Sequence, residues 1–362
     1  MMLGEHGSPR SDFPYLAERT YLNTAAVGLT PSTTVRRSIA LYEDALSRGM
    51  DAREVWLQKT DDLRGRLAAH LNVAKSEVSF AASTTSGLNA VSLSLDLAPD
   101  DHVLLLADDF ISVRLAWDHV RETGGRVIEL SPNAGQDRTR SLIEAMTPQT
   151  RIVAVSHVDP ASGWMVDLDL LGAACELNDS LLIVDGVQAL GAVPVDLSHV
   201  DVYVASCFKW LLSGFGIAVV VVGERATQML KPRIRGYRNP APSRELEFAH
   251  TNYAGVYALD SSLNYLHTIG FDRVYSAVRD LSAALWVGLV DLGYMPAAPL
   301  ETRAGIVTMP TDQAERLVTE LADRGVSAAG TVLGVRFSPH FYNSVHDIER
   351  ALEIVRGLTV HE

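Results

Sequence analysis

The chain has 362 residues, 47% of them hydrophobic and 21% charged, the balance of an ordinary globular protein long enough for one large and one small domain. A formal net charge of −13 with no basic tract argues against a nucleic-acid or anionic-membrane partner, and no stretch is long and apolar enough to span a bilayer. Cys175 and Cys207 are too few for a disulfide framework, no metal-ligand cluster stands out, and Met1 to Arg10 lacks the apolar run of a signal peptide, so a cytoplasmic location is expected.

Residues 1 to 17 read as a polar arm. Tyr21-Leu22-Asn23-Thr24-Ala25-Ala26-Val27-Gly28-Leu29-Thr30-Pro31 is a small-residue loop, either a plain linker or a place where backbone approaches a ligand closely. Pro31 opens a helix toward Met50 with Thr30 as its N-cap, and a second helix runs from Asp51 to Leu71. Glu77 to Ala81 reads as a strand, then Ala82-Ser83-Thr84-Thr85-Ser86-Gly87 leads into a helix reaching Leu95. Strand, hydroxyl-rich turn and helix suit an anion, because the N–H groups of a first helical turn are unpaired and the dipole is positive there. Ordinary N-capping by Ser or Thr uses the same residues.

Strands are then expected at His102–Leu106, Arg126–Leu130, Arg151–Ser156, Leu181–Asp185, Val202–Ala205 and Ile217–Val222, alternating with helices at Trp117–Arg121, Arg140–Met146 and Leu168–Leu177. Repeated βα units of this length imply a mostly parallel sheet covered on both faces. From Gly223 to Asn252 the pattern is irregular and cation-rich, with Arg225, Lys231, Arg233, Arg235, Arg238 and Arg244. This is either a specificity loop for an anionic substrate or a solvated basic loop. Helices follow at Tyr257–Ile269 and Phe271–Leu292, with Gly293 placed to end the second. The remainder mixes short strands with helices Asp312–Arg324 and His346–Arg356 and reads as a smaller α+β domain. The expected division is an arm and loop at 1–30, a large domain at 31–255 and a small domain at 256–362.

Chemistry concentrates where two strands end. Leu181-Leu182-Ile183-Val184 is followed by Asp185, and Tyr203-Val204-Ala205-Ser206-Cys207-Phe208 is followed by Lys209. In an open α/β sheet, ligands bind outside the carboxyl ends of the strands. A lysine and a carboxylate facing one crevice suit pyridoxal phosphate (PLP), which is held as a Schiff base by lysine and needs an acidic partner for its pyridine nitrogen. Taken alone, a surface lysine and a loop aspartate would look the same.

Several stretches together resemble the class V aminotransferase family of fold-type I PLP enzymes, in its cysteine desulfurase and isopenicillin N epimerase-like branch. They are Val184-Asp185-Gly186-Val187-Gln188-Ala189, Ser206-Cys207-Phe208-Lys209-Trp210-Leu211, Tyr21-Leu22-Asn23-Thr24-Ala25-Ala26, Ser83-Thr84-Thr85-Ser86-Gly87 and Arg336-Phe337-Ser338-Pro339-His340-Phe341-Tyr342-Asn343. The resemblance implies an α/β fold whose large domain holds a mostly parallel seven-stranded sheet, with a smaller α+β domain at the C-terminus. It assigns Lys209 the covalent bond to PLP and the Cα proton, Asp185 the pyridinium and Gln188 the phenolic oxygen. Thr84, Thr85 and Ser206 would bind the phosphate, Phe110 would stack on the ring, and Arg336 would grip the substrate carboxylate, with Asn23, Ala25 and Ala26 lining the substrate side. It also implies a homodimer in which a threonine of one subunit completes the phosphate site of the other; Thr251 is the nearest candidate.

Departures from the desulfurase pattern shape the expected reaction. Phe110 and Phe208 stand where desulfurases carry histidines, and Arg324 to Gly334, where they carry a mobile cysteine, contains none. Asp159-Pro160 stands where they usually have an asparagine. The expected activity is β-elimination from an L-amino acid or cysteine S-conjugate, a C–S lyase reaction. Epimerisation, transamination and a decarboxylating or oxidative reaction of natural-product biosynthesis are alternatives, as is a PLP-free non-catalytic homologue.

Overall fold

The computed structural model describes residues 10–133, 135–240 and 245–359. In the N-terminal half the elements are β1 (Thr20–Tyr21), α1 (Ser32–Arg48), α2 (Arg53–Leu71), β2 (Val78–Ala81), α3 (Thr84–Ser92), β3 (His102–Leu106), α4 (Ile111–Leu115), α5 (Asp118–Glu122), β4 (Arg126–Leu130), α6 (Arg138–Ala145), β5 (Thr150–Ser156) and α7 (Leu168–Leu177). Then come β6 (Leu181–Asp185), β7 (Val202–Ser206), β8 (Ala218–Val222), α8 (Glu224–Met229), α9 (Tyr253–Ile269), α10 (Phe271–Asp291), β9 (Val307–Pro310), α11 (Ala314–Asp323), β10 (Val326–Ser327), β11 (Ala329–Thr331), β12 (Gly334–Phe337) and α12 (Val345–Thr359).

The large sheet has seven strands in the order β2-β8-β7-β6-β5-β3-β4. Only β8 runs against its neighbours β2 and β7. The carboxyl ends of β2, β7, β6, β5 and β3 therefore share one edge, which is where ligands of such sheets bind. Every residue of β6, β7 and β8 is buried. That is why these strands are apolar throughout instead of alternating: helices cover both faces. On one face Leu104, Val153, Leu182, Val184 and Val219 pack with α2, α7 and α9. On the other, Val103, Ile152, Leu181, Ile183 and Val220 pack with α3, Trp117 and α8.

A second core, under the antiparallel sheet β11-β12-β9, gathers Leu281, Leu285 and Leu289 of α10 with Phe337, Leu321 and Ile348. The boundary expected after residue 255 differs from this packing. Val256, Leu259, Leu263 and Leu266 of α9 join the core of the large sheet, and the change of core occurs along α10. We propose the division there.

Two expectations are corrected. Phe13 and Leu16 of the supposed polar arm are buried in the main core, Phe13 between two short 3-10 helices and Leu16 within the second, and turns this short carry no readable period. Thr30 does not cap α1: Pro31 holds the cap position, with no side-chain hydrogen bond. In the segment expected as arm and loop, β1 pairs in parallel with β10 and Asn23 bridges to Ser338.

Candidate active site

The site forms where the strand ends converge. Asp185 closes β6 and is 2% exposed, and its Oδ1 accepts a hydrogen bond from the Val187 N–H at 2.9 Å. Gly186 is required next to it, because a Cβ there would overlap the ring of Tyr203. Burial pushes the Asp185 carboxyl up to about 7, with Asp109 pushing the same way and the Val187 N–H and Lys209 opposing. Lys209 follows the end of β7. Burial lowers its ammonium to about 8, Arg336 adds to the lowering and Asp185 opposes it. An amine brought this near neutrality has a usable fraction of its nucleophilic form.

The residues before and after the lysine are fixed by their neighbours. Gly28 donates its N–H to the Phe208 carbonyl at 3.0 Å, and a Cβ on Gly28 would overlap the Lys209 carbonyl. The loop at 23–28 therefore does approach the site closely. Phe208 stacks on Phe215 with centroids 4.7 Å apart, and Lys209 Nζ lies 5.6 Å from the Phe208 ring centroid.

At the start of α3, Ser83 caps the helix by accepting the Ser86 N–H at 3.1 Å. Thr84 and Ser206 are locked together: the Thr84 N–H donates to Ser206 Oγ at 2.7 Å and the Ser206 N–H to Thr84 Oγ1 at 2.9 Å. Thr85 Oγ1 lies 2.8 Å from Ser112 Oγ. The positive end of α3 and three hydroxyls thus converge beside the end of β7, as an anion requires. Gln188 is buried, with its amide N donating to the Ala25 carbonyl at 3.0 Å and its Oε1 accepting from Trp210 Nε1 at 2.9 Å. Phe110, half exposed, starts α4.

Arg336, on β12, is buried and donates from Nη1 to the Pro160 carbonyl at 2.7 Å. Its Nε and the Oδ1 of Asn23 are buried with no partner among the described residues. Buried polar atoms without partners are costly, and a ligand carrying a carboxylate and an ammonium would satisfy one of each kind. Ala25 donates its N–H to Ser338 Oγ, which ties the Asn23–Ala26 loop to the same strand end as Arg336.

Thr251 makes one hydrogen bond among the described residues, which does not reach another candidate site residue. Its hydroxyl lies 3.5 Å from Glu247 Oε2, beside a cavity of about 300 Å³ lined by Ser86, Gly87 and Phe248. Much of the cation-rich segment also points elsewhere. Arg225 reaches Asp201 and the Ser180 carbonyl at the amino ends of β7 and β6, the opposite edge of the sheet, and Lys231 and Arg233 pair with Asp96. Arg238 pairs with Glu247, and Arg244 lies outside the described residues.

Asp109 went unread in the sequence. It is buried and accepts from the Phe110 N–H (2.6 Å), Ser156 Oγ (2.5 Å) and Ser156 N–H (2.8 Å), and burial pushes it up to about 6. The signal that found Asp185, a carboxylate just past an apolar strand, is present here too, but Asp108 beside it makes the pair look like a solvated turn.

Residues 20–350 match the family described as aminotransferase class-V. The chain belongs to that family. PLP is the cofactor of class V enzymes, and the unpartnered Arg336 Nε and Asn23 Oδ1, the hydroxyl cluster at α3 and the Asp185–Lys209 pair fit it and an amino-acid substrate. Curated relatives include the "Uncharacterized aminotransferase YcbU" of Bacillus subtilis, 24% identical over 98% of each chain, and the isopenicillin N epimerase of Amycolatopsis lactamdurans, 28% identical over 94% of this chain and 95% of that one. A probable cysteine desulfurase of Pyrococcus abyssi is 24% identical over 96% of each. Among solved structures, the cystine C-S lyase C-DES in complex with cysteine persulfide superposes with a TM-score of 0.88 at 23% identity, covering 95% of this chain and 99% of that chain. The cysteine desulfurase from Thermococcus onnurineus NA1 gives 0.87 at 21% identity and 98% coverage of both. At these identities the solved structures show a shared fold. Among the described residues, no helix is long and apolar enough to cross a membrane, and no group of His, Cys, Asp and Glu could hold a metal.

Proposed function

We propose that this chain is a PLP-dependent C–S β-lyase that splits an L-cysteine S-conjugate into a thiol, pyruvate and ammonia, with one water consumed. The observation that carries this reading is the state of the two cysteines. Cys175 and Cys207 are both buried, and burial pushes each thiol up to about 12. Sulfur transfer onto the protein needs an accessible thiolate, and these are neither accessible nor ionised near neutral pH. Elimination needs only a base at Cα and a leaving group at Cβ.

When bound, PLP supplies the electron sink for the pair left at Cα. The protein supplies the rest. Thr84, Thr85, Ser206 and the first turn of α3 would hold the phosphate, and Asp185 would keep the ring nitrogen protonated. Arg336 would grip the substrate carboxylate through Nε and Nη2, a fork suited to two parallel bonds. Lys209, the covalent anchor for PLP, would take the Cα proton and pass it to the departing sulfur. Phe110, the residue expected to stack on the ring, would carry no proton, which leaves the proton transfers to Lys209.

Epimerisation is the second reading, favoured by the 28% identity to isopenicillin N epimerase over nearly the full length. It would return the proton to Cα instead of expelling sulfur. Product analysis of the PLP-loaded protein with cysteine S-conjugates and L-amino acids separates the two. Pyruvate and ammonia, absent in Lys209→Ala, support the lyase; D-amino acid without pyruvate, or a keto acid with pyridoxamine phosphate, would replace it. We also propose a homodimer. Val35, Ile39, Tyr42 and Leu46 form an apolar stripe on α1, 48 to 88% exposed, of the kind a second subunit covers. A monomer in analytical ultracentrifugation would remove that proposal and Thr251's part in the phosphate site with it.

A further inference from the structure

Trp210, immediately after Lys209, has its side chain turned into a small core between the domains. It is fully buried with Ala25, Val158, Ala189, Val278 and Ile306. Gly305 makes room for the indole, since a Cβ there would overlap the six-membered ring. The backbone of Trp210 is held as firmly. His340 Nδ1 accepts from the Phe341 N–H at 2.8 Å, so the ring hydrogen is on Nε2, which donates to the Trp210 carbonyl at 3.0 Å. Burial lowers His340 to about 4, so the neutral ring persists near neutral pH.

The indole nitrogen is a donor only. The atom of Gln188 that lies 2.9 Å from it must therefore be the carboxamide oxygen, and the amide nitrogen must lie on the other side, where one hydrogen goes to the Ala25 carbonyl. An amide nitrogen has two hydrogens. The second has no acceptor among the described residues. Without the indole, the Ala25 carbonyl alone would hold the carboxamide against turning over to present its oxygen.

We infer that Trp210 is a positioning residue: its indole N–H, fixed by His340 and Gly305, locks the orientation of the Gln188 amide so that an N–H faces the phenolic oxygen of PLP. The small domain thereby sets the hydrogen bonding of the cofactor through a residue that does not touch it. The inference rests on PLP binding at Lys209 and is independent of which bond of the substrate breaks.

Trp210→Phe keeps an aromatic ring and removes the N–H. PLP affinity, read by titrating the cofactor-free protein, is expected to fall roughly tenfold, the effect of losing one well-placed hydrogen bond. The absorbance maximum of the bound cofactor should move with it. In a Gln188→Ala background the same substitution should change affinity less than about twofold and leave the maximum in place, because there is no amide left to orient. Equal losses in both backgrounds would show that Trp210 acts through packing alone and overturn the inference. Should Trp210→Phe fail to fold, the indole N–H resonances of the five tryptophans decide the matter. Gln188→Ala must shift one of them, and PLP must shift that same resonance in the unsubstituted protein. An indole set that Gln188→Ala leaves unchanged overturns the proposal. Failure of the unsubstituted protein to bind PLP would instead overturn the cofactor assignment, while the Gln188→Ala shift still tests the Trp210–Gln188 bond.

Discussion

Asp185 and Asp201 are both buried aspartates on the same sheet, one just inside the carboxyl end of β6 and the other just before the amino end of β7. Burial raises both. Asp201 is answered within the protein: the Leu182 N–H donates to it at 2.8 Å and Arg225 lies 3.3 Å away. Asp185 has one N–H, from Val187, and the nearby Lys209 in its favour, while Asp109 works against it. Burial alone therefore does not mark a functional acid. What separates the two is that, among the described residues, Asp185 has no ion pair of the kind Arg225 makes with Asp201, which leaves its carboxylate open to a cationic ligand.

The contrast is tested most severely at Lys209. Lys209→Ala is expected to abolish borohydride-fixed cofactor and to lower turnover on the order of 10³-fold, since the anchor and the base are lost together. A variant that borohydride still labels would refute the assignment.

Asp185→Asn comes next, with PLP affinity or turnover lower by about 10²-fold, the effect of removing one strong charge partner. The same variant has a pH signature. The folded Asp185 titrates at about 7 against an ordinary 3.8, so its favourable contribution is complete below about 3.8 and disappears as pH rises through about 7. Asp109 adds in the same direction up to about 6, whereas Lys209, lowered to about 8, acts at higher pH with the opposite sign. The cofactor-free protein should melt at a lower temperature near pH 8 than near pH 5, and Asp185→Asn should shrink that difference. A melting temperature flat across this range would contradict the burial of these acids.

Arg336→Lys should raise KM about tenfold with kcat little changed, because an ammonium cannot make the two parallel bonds of a guanidinium. Asp201→Asn should do the reverse of Asp185→Asn, costing about 1–2 kcal/mol of stability by breaking the Arg225 pair while leaving PLP affinity alone. Smallest of all is Arg233→Ala. Its pair with Asp96 is largely exposed, so stability should move by less than about 0.5 kcal/mol, and an unchanged KM would close the case for Arg233 in substrate choice.

The parts of this design that could be read from sequence are those whose signal is local. β6 and its terminal Asp185 showed because a strand covered on both faces is apolar to its last residue. The α3 turn showed because capping and anion binding both use clustered hydroxyls. Phe13 and Leu16 did not, since a single 3-10 turn is too short for periodicity to appear. Trp210 did not, because its partner Gln188 is 22 residues away and its packing partners come from four other segments. The cation-rich run read as a candidate substrate surface because its counter-ions, Asp96 and Asp201, are distant in sequence.

The pairing of residues 20–24 with residues 326–342 has a consequence for how the protein is made. Thr20 waits for Val326, Asn23 for Ser338, and the Thr24 hydroxyl for Tyr342, 318 residues later. At typical rates of synthesis that interval is roughly 15 to 60 seconds. Throughout it the nascent large domain can fold on the ribosome, yet the loop that packs on Lys209 lacks its partners at Val326, Ser338 and Tyr342. The site is thus completed only once the segment through Tyr342 has been made, and a chain cut short before β12 would expose an unfinished crevice rather than a weaker enzyme.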